Sequence, residues 1–184
     1  MLKIRSQRCL SGFTLLELLT VMVVIGILAC LLIPGFSAFR SRAQRMACST
    51  NLQSLYGAAN LYTQEHGRWP QVQTKDIHGP AYIQGWIAAL QPYGLTQINW
   101  VCPSVQNMMM SPDLSKPGNA RLDYFATPFD DSERGAYRWP TQPWFVERGD
   151  VHGDGNLVIF TNGQITSLQE LAKQAAYQNA PSPF

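Results

Sequence analysis

From Phe13 to Ile33 the chain reads FTLLELLTVMVVIGILACLLI, 21 residues in which Glu17 is the only ionisable side chain. At ~1.5 Å per residue, a helix of that length crosses the ~30 Å hydrocarbon core of a bilayer. Pro34 and Gly35 follow, and a proline inside a helix removes a hydrogen bond and kinks the backbone, so an interruption and a bend are expected there. Beyond it Cys48, Leu52, Leu55, Ala59 and Tyr62 recur at alternating spacings of four and three, among Arg40, Arg42, Gln44, Arg45, Asn51, Gln53, Asn60 and Gln64. That period puts the apolar residues on one stripe of an amphipathic helix, the face on which a globular part would pack. Gly67 and Pro70 stop the helix.

Past Pro70 the pattern shortens. Tyr82 to Leu90 reads as a short helix, and Met108 to Asn119, rich in Pro, Ser and Gly, as a loop. Leu157 to Phe160 and Ile165 to Leu168 flank Asn162-Gly163, which predicts a hairpin closed by a two-residue type I′ turn. Glu170 onward begins as a helix and frays into the Ala-Pro-Ser-Pro-Phe end.

Charge changes the picture at the N-terminus. Residues 1–12 carry Lys3, Arg5 and Arg8 and no acid, which holds this end in the cytoplasm and sends the C-terminal part across the membrane. A secretory signal peptide places its small-residue cleavage site after the apolar run; here the small pair Ser11-Gly12 comes before it. A cut after Gly12 keeps the apolar segment in the mature protein and leaves 11 basic side chains against 12 acidic ones. A body so near neutrality argues against a nucleic-acid-binding face, which needs an excess of Lys and Arg.

Glu17 needs a partner, because a carboxylate near the bilayer centre costs roughly 2.5 to 3.5 kcal/mol. The α-amino group that cleavage would create on Phe13 supplies one, within the helix or from a neighbouring subunit, and a helix N-terminus itself favours an anion. Gly12-Phe13-Thr14-Leu15-Leu16-Glu17, behind a short basic leader and ahead of a long apolar run, resembles the processing motif of type IV prepilins and type II secretion pseudopilins. The resemblance implies a membrane peptidase that cuts between Gly12 and Phe13 and N-methylates Phe13. It also implies assembly through Phe13, Glu17 and the Pro34 region. Cys48 to Pro70, Trp86, Leu90-Gln91-Pro92-Tyr93 and Cys102-Pro103 further resemble the major secretion pseudopilins.

Chemistry beyond assembly is sparse. Cys48 and Cys102 are a disulfide candidate if their domain faces an oxidising compartment, but a bridge needs Cα atoms ~4.4 to 6.8 Å apart, which the sequence leaves open. Cys48, Cys102 and His152 are three conceivable zinc ligands with no paired C-x-x-C spacing and no fourth member, which weighs against zinc. Asp150, His152 and Asp154 alternate like the start of a calcium loop, and the resemblance to major pseudopilins implies calcium in a C-terminal loop. The twelfth position counted from Asp150 is Thr161 rather than a bidentate acid, so a glycine-rich turn is favoured and calcium stays the alternative. No nucleophile elbow, H-E-x-x-H or P-loop is present, so no enzyme and no other cofactor is expected.

The expected fold is α+β and pilin-like: a long N-terminal helix, its first half membrane-spanning, packed on a small antiparallel sheet. Residues 1–12 would be a leader that is removed, 13–34 the transmembrane and filament-core helix, 35–67 its amphipathic continuation, and 68–184 a periplasmic head. Expected partners are other copies and related pilins in a filament, the prepilin peptidase, the inner-membrane assembly platform and membrane lipid, with no nucleic acid. The rival is a non-polymerising anchored module whose Trp69, Trp86, Trp100, Trp139 and Trp144 hold a glycan or peptide.

Overall fold

The computed structural model describes residues 14–72, 76–77, 79–108, 119–132, 135–153 and 155–178, apart from the side chains of 31–38, 107–108 and 176–178. The expected leader, Phe13, the loop over 109–118, Asp154 and the C-terminal end lie outside them. The chain divides into two units, residues 1–40 and 41–184.

Helix α1 is Leu15–His66. The backbone stays helical through Pro34 and Gly35 where an interruption is expected; proline removes one N–H donor but its fixed φ is compatible with the helix, so the ladder resumes on either side. In the first unit the described side chains from Thr14 to Cys30 are exposed on every face. Among the described residues no helix is long and apolar enough to cross a membrane, and Phe13 and the side chains of Leu31, Leu32 and Ile33, which the expected span includes, are outside that set.

The second unit is built on the other part of α1. Cys48, Leu52, Leu55 and Ala59 are fully buried and Tyr62 packs half-buried beside them, as the four-and-three spacing predicts. The helix ends at His66, before Gly67. Helix α2 (Pro80–Leu90) opens with a proline at its first turn, where the missing N–H costs nothing, and buries Tyr82, Trp86 and Leu90. Short 3-10 turns at Gln91–Tyr93 and Gln97–Trp100 lead into α3 (Pro103–Met108).

Four strands follow, β1 (Tyr124–Ala126), β2 (Pro143–Glu147), β3 (Leu157–Phe160) and β4 (Ile165–Ser167), then α4 (Leu168–Gln178). They form an antiparallel sheet in sequence order, with Phe125 opposite Val146, Val146 opposite Val158 and Val158 opposite Thr166. The architecture is therefore α+β, with an N-terminal helix and a four-stranded antiparallel sheet.

Aromatic rings fill the space between α1 and the sheet. Trp69 meets Trp144 edge-on with centroids 4.9 Å apart, and Tyr56 of α1 lies 4.9 Å from Trp144. The Tyr56 hydroxyl donates to the Thr161 carbonyl at 2.9 Å, joining α1 to the hairpin end. Trp69, Trp86, Trp100 and Trp144 are all buried and only Trp139 is exposed. Four of the five tryptophans that a surface-binding module would display are core residues here, because a small head needs large apolar side chains to bury enough area.

The β3–β4 hairpin exists, with a different turn. The Phe160 carbonyl accepts the Gly163 N–H at 2.8 Å and the Phe160 N–H donates to the Gln164 carbonyl at 3.0 Å. Gly163 sits at φ +77°. These bonds define a three-residue loop, Thr161 to Gly163, with the glycine in the left-handed region, rather than a two-residue type I′ turn. The Thr161 N–H, which a two-residue turn would pair with Gln164, instead donates to the Gln142 carbonyl.

Two outcomes are expected in urea unfolding of the full chain in detergent. Leu55→Ala, at a fully buried position, lowers the stability of the head by about 2–5 kcal/mol. Gly163→Ala, which meets only ordinary contact with Tyr56, costs about 1–2 kcal/mol through its left-handed backbone alone.

Candidate functional sites

The start of α1 holds the first site. Thr14 is the residue before the helix, and its backbone N–H and hydroxyl both donate to Glu17 Oε2 at 2.9 Å. The Glu17 N–H returns a bond to Thr14 Oγ1 at 3.2 Å. This is a reciprocal capping box, which satisfies backbone donors that the first turn leaves without partners. The partner expected for Glu17 is a terminal amine; the structure supplies Thr14 as well. The signal was present in Thr14-x-x-Glu17 ahead of an apolar run. Gly12 and Phe13 lie outside the described residues, as does the side chain of Pro34.

The second site lies inside the head. Cys48 comes from the buried stripe of α1, and Cys102 from the turn into α3. Cys102 is held there by its own N–H, which donates to Asp123 Oδ2 at 2.8 Å, while Arg121 pairs with the same oxygen at 3.1 Å. The sulfurs of Cys48 and Cys102, both free thiols, are 2.6 Å apart. Contact with Cys102, and then burial, pushes the Cys48 thiol above its ordinary range.

Glu147 and His152 complete the group. Glu147 ends β2 on the same face as Phe145, two residues earlier, which turns its carboxylate inward. Its Oε1 is 3.2 Å from His152 Nε2, with both side chains 1% exposed, and its Oε2 accepts the Leu157 N–H at 3.3 Å. The same His152 nitrogen is 3.7 Å from Cys102 Sγ. Its Nδ1 is 3.5 Å from Ser104 Oγ, which donates to Gln44 Oε1 at 3.2 Å.

The loop between β2 and β3 aims the imidazole. Gly155, at φ +87°, is pressed against Gln169 so closely that a Cβ would lie 2.7 Å from its Cγ; only glycine fits that turn. Asp150 Oδ1 accepts the Gly153 N–H at 2.8 Å, closing the loop locally. Of the residues that alternate like the start of a calcium loop, His152 faces the sulfurs, Asp150 braces its own turn, and Asp154 lies outside the described residues. The sequence reading of three sulfur and imidazole ligands without a fourth is corrected by Glu147. Strand alternation from the buried Phe145 was the signal that would have placed it inward.

Comparison with known proteins bears on part of the chain. Residues 8–32 match the prokaryotic N-terminal methylation motif. The chain is 43% identical over 58 residues to the type IV major pilin protein PilA of Myxococcus xanthus, covering 32% of this chain and 26% of that protein. It is 36% identical over 62 residues to the type II secretion system core protein G of Klebsiella pneumoniae, covering 34% of this chain and 44% of that protein. The type IV major pilin protein PilE1 of Neisseria gonorrhoeae is 35% identical over 64 residues, 35% of this chain and 39% of that protein. The chain thus spans less than half the length of these curated relatives. No solved structure gives a significant match. The methylation-motif match at residues 8–32 and these partial similarities, to type IV major pilins and to type II secretion system core protein G, are what the chain shares with known proteins.

Proposed function

We propose that the chain is a prepilin-like structural subunit of a type II secretion pseudopilus or type IV pilus. A peptidase cuts it between Gly12 and Phe13 and methylates the new terminus. It then waits as a single-pass inner-membrane protein with a periplasmic head, and the assembly platform draws it into a filament with other copies and related pilins.

The observation that carries this reading is the first part of α1. Leu15, Leu16, Leu18, Leu19, Val24, Ile25, Ile27 and Leu28 are each more than half exposed, and at 3.6 residues per turn they fall on every side of the helix. A helix apolar all round needs a cover, either lipid or other helices. Each large apolar side chain so covered contributes about 1.5–3 kcal/mol. Lipid provides that cover for the waiting subunit, and neighbouring helices provide it in a filament. The exchange is therefore near neutral in apolar burial, and polar contacts decide the register.

Glu17 is the polar contact. Its capping box with Thr14 satisfies Oε2 within the helix, and Oε1 is the atom we assign to the Phe13 amine of an adjacent subunit. Cap and charge separate by substitution. Glu17→Gln keeps a side chain able to close the capping box and loses the charge; it should insert and be processed like the unaltered chain yet fail to form filaments. Thr14→Ala keeps the charge and weakens the helix start by about 1 kcal/mol; it should still assemble. Filament yield by sedimentation and electron microscopy, with intact mass to check processing, reads both variants. Wild-type filament yield from Glu17→Gln would remove the charge from the mechanism. An uncut chain beginning at Met1 in the native host would overturn the subunit reading in favour of a non-polymerising anchored module.

A further inference from the structure

The buried cluster in the head lies apart from the residues on which the proposed assembly rests. We propose that Cys48, Cys102, Glu147 and His152 bind a structural zinc ion that ties α1 to the β2–β3 loop. One ligand atom from each lies within 4.8 Å of the other three, and all four side chains are enclosed by the head.

The spacing fits tetrahedral coordination. With Zn–S near 2.3 Å and Zn–N and Zn–O near 2.0–2.1 Å, tetrahedral edges come to about 3.6 Å between sulfur and nitrogen and about 3.3 Å between nitrogen and oxygen. Cys102 Sγ to His152 Nε2 is 3.7 Å, and His152 Nε2 to Glu147 Oε1 is 3.2 Å. The two sulfurs, at 2.6 Å, would spread to about 3.8 Å around the ion. Two thiolates and an imidazole select a borderline-soft metal, whereas calcium takes six to eight oxygens. Four protein ligands fill the tetrahedron and leave no place for a reacting water, which makes the site structural rather than catalytic.

The surroundings suit a bound ion. Coordination through Nε2 puts the imidazole proton on Nδ1, where it can be donated to Ser104 Oγ, and that hydroxyl passes a bond on to Gln44 Oε1. Such outer partners fix the tautomer of a metal-bound histidine. The Leu157 N–H orients the free oxygen of Glu147. The buried Tyr124 hydroxyl lies beside Cys48, where a metal-bound thiolate would accept a hydrogen bond from it. A Cys48–Cys102 disulfide uses only two of the four residues. It leaves Glu147 and His152 buried beside it, two polar side chains whose desolvation only their mutual contact offsets.

The test uses the processed full-length chain extracted in detergent, measured as isolated and again after anaerobic reduction and addition of zinc chloride alone. We expect about one zinc per chain by elemental analysis, and thiolate-to-metal charge-transfer absorption when cobalt(II) replaces it. Cys102→Ser and His152→Ala should each lower zinc affinity by about 10-fold or more, while Cys30→Ser and Asp150→Asn leave it unchanged. Because the first two variants can also fail to fold, the cobalt spectrum and a chelator-induced fall in melting temperature are read on the unaltered protein. Failure of the reduced chain to take up zinc or cobalt stoichiometrically, or isolation from the native host with Cys48 and Cys102 oxidised to a disulfide by intact mass, would overturn the proposal. None of these readouts depends on filament formation.

Discussion

The buried stripe of Cys48, Leu52, Leu55 and Ala59 on α1 is the surface on which the head is organised. These side chains are small or of medium size, so the backbone of the helix comes close to what covers it, and the cover must bring the bulk. It does so with Trp69, Trp86, Trp100, Trp144 and Phe145, whose rings meet edge-on or tilted at centroid distances of 4.9 to 6.2 Å. Edge-to-face pairs of this kind add about 0.5–1.5 kcal/mol beyond the area they bury. A sheet whose strands are only three to five residues long has few ladder bonds of its own. Its place therefore depends on that aromatic layer and on bonds reaching across it, such as Tyr56 to Thr161 and Trp144 to Ala136.

The same helix meets a different requirement at its start. There the apolar residues occupy every face, so no single partner surface within one chain can cover them. A segment of this kind is matched to surroundings that are apolar on all sides, and both lipid and a bundle of like helices qualify. One continuous secondary-structure element thus carries two hydrophobic patterns, and the change from an all-round pattern to a stripe is what separates its first part from the head-bearing part.

How far the sequence revealed this depended on whether the signal was local. The stripe of α1, its stop before Gly67 and helix α2 were legible because spacing and punctuation fix them within a few residues. The β3–β4 hairpin was legible as a hairpin, but its turn was not: Asn162-Gly163 suits a two-residue loop, and the competing use of the Thr161 N–H by Gln142 comes from a residue just before β2, 19 positions away. The tryptophans were legible as aromatic residues and not as core, because burial is a property of what surrounds a residue. The sulfur cluster was the least legible, since its members come from four separated places in the chain and Glu147 looks like an ordinary strand-end acid until its alternation with Phe145 is considered.

Glu17 shows how a structural and a functional role can share one carboxylate. A capping box alone would be met by glutamine as well as by glutamate, because either side chain can accept from the N-cap N–H. The choice of glutamate in an apolar segment adds a desolvation cost that glutamine would largely avoid, and capping does not require it. The cost is sensible if the charge has a second partner. A terminal amine placed close to the first turn is such a partner, and pairing it with the carboxylate of another subunit offsets two buried charges at once. The capping bonds to Oε2 then hold the carboxylate in one orientation before that partner arrives, so little side-chain entropy remains to be lost on pairing.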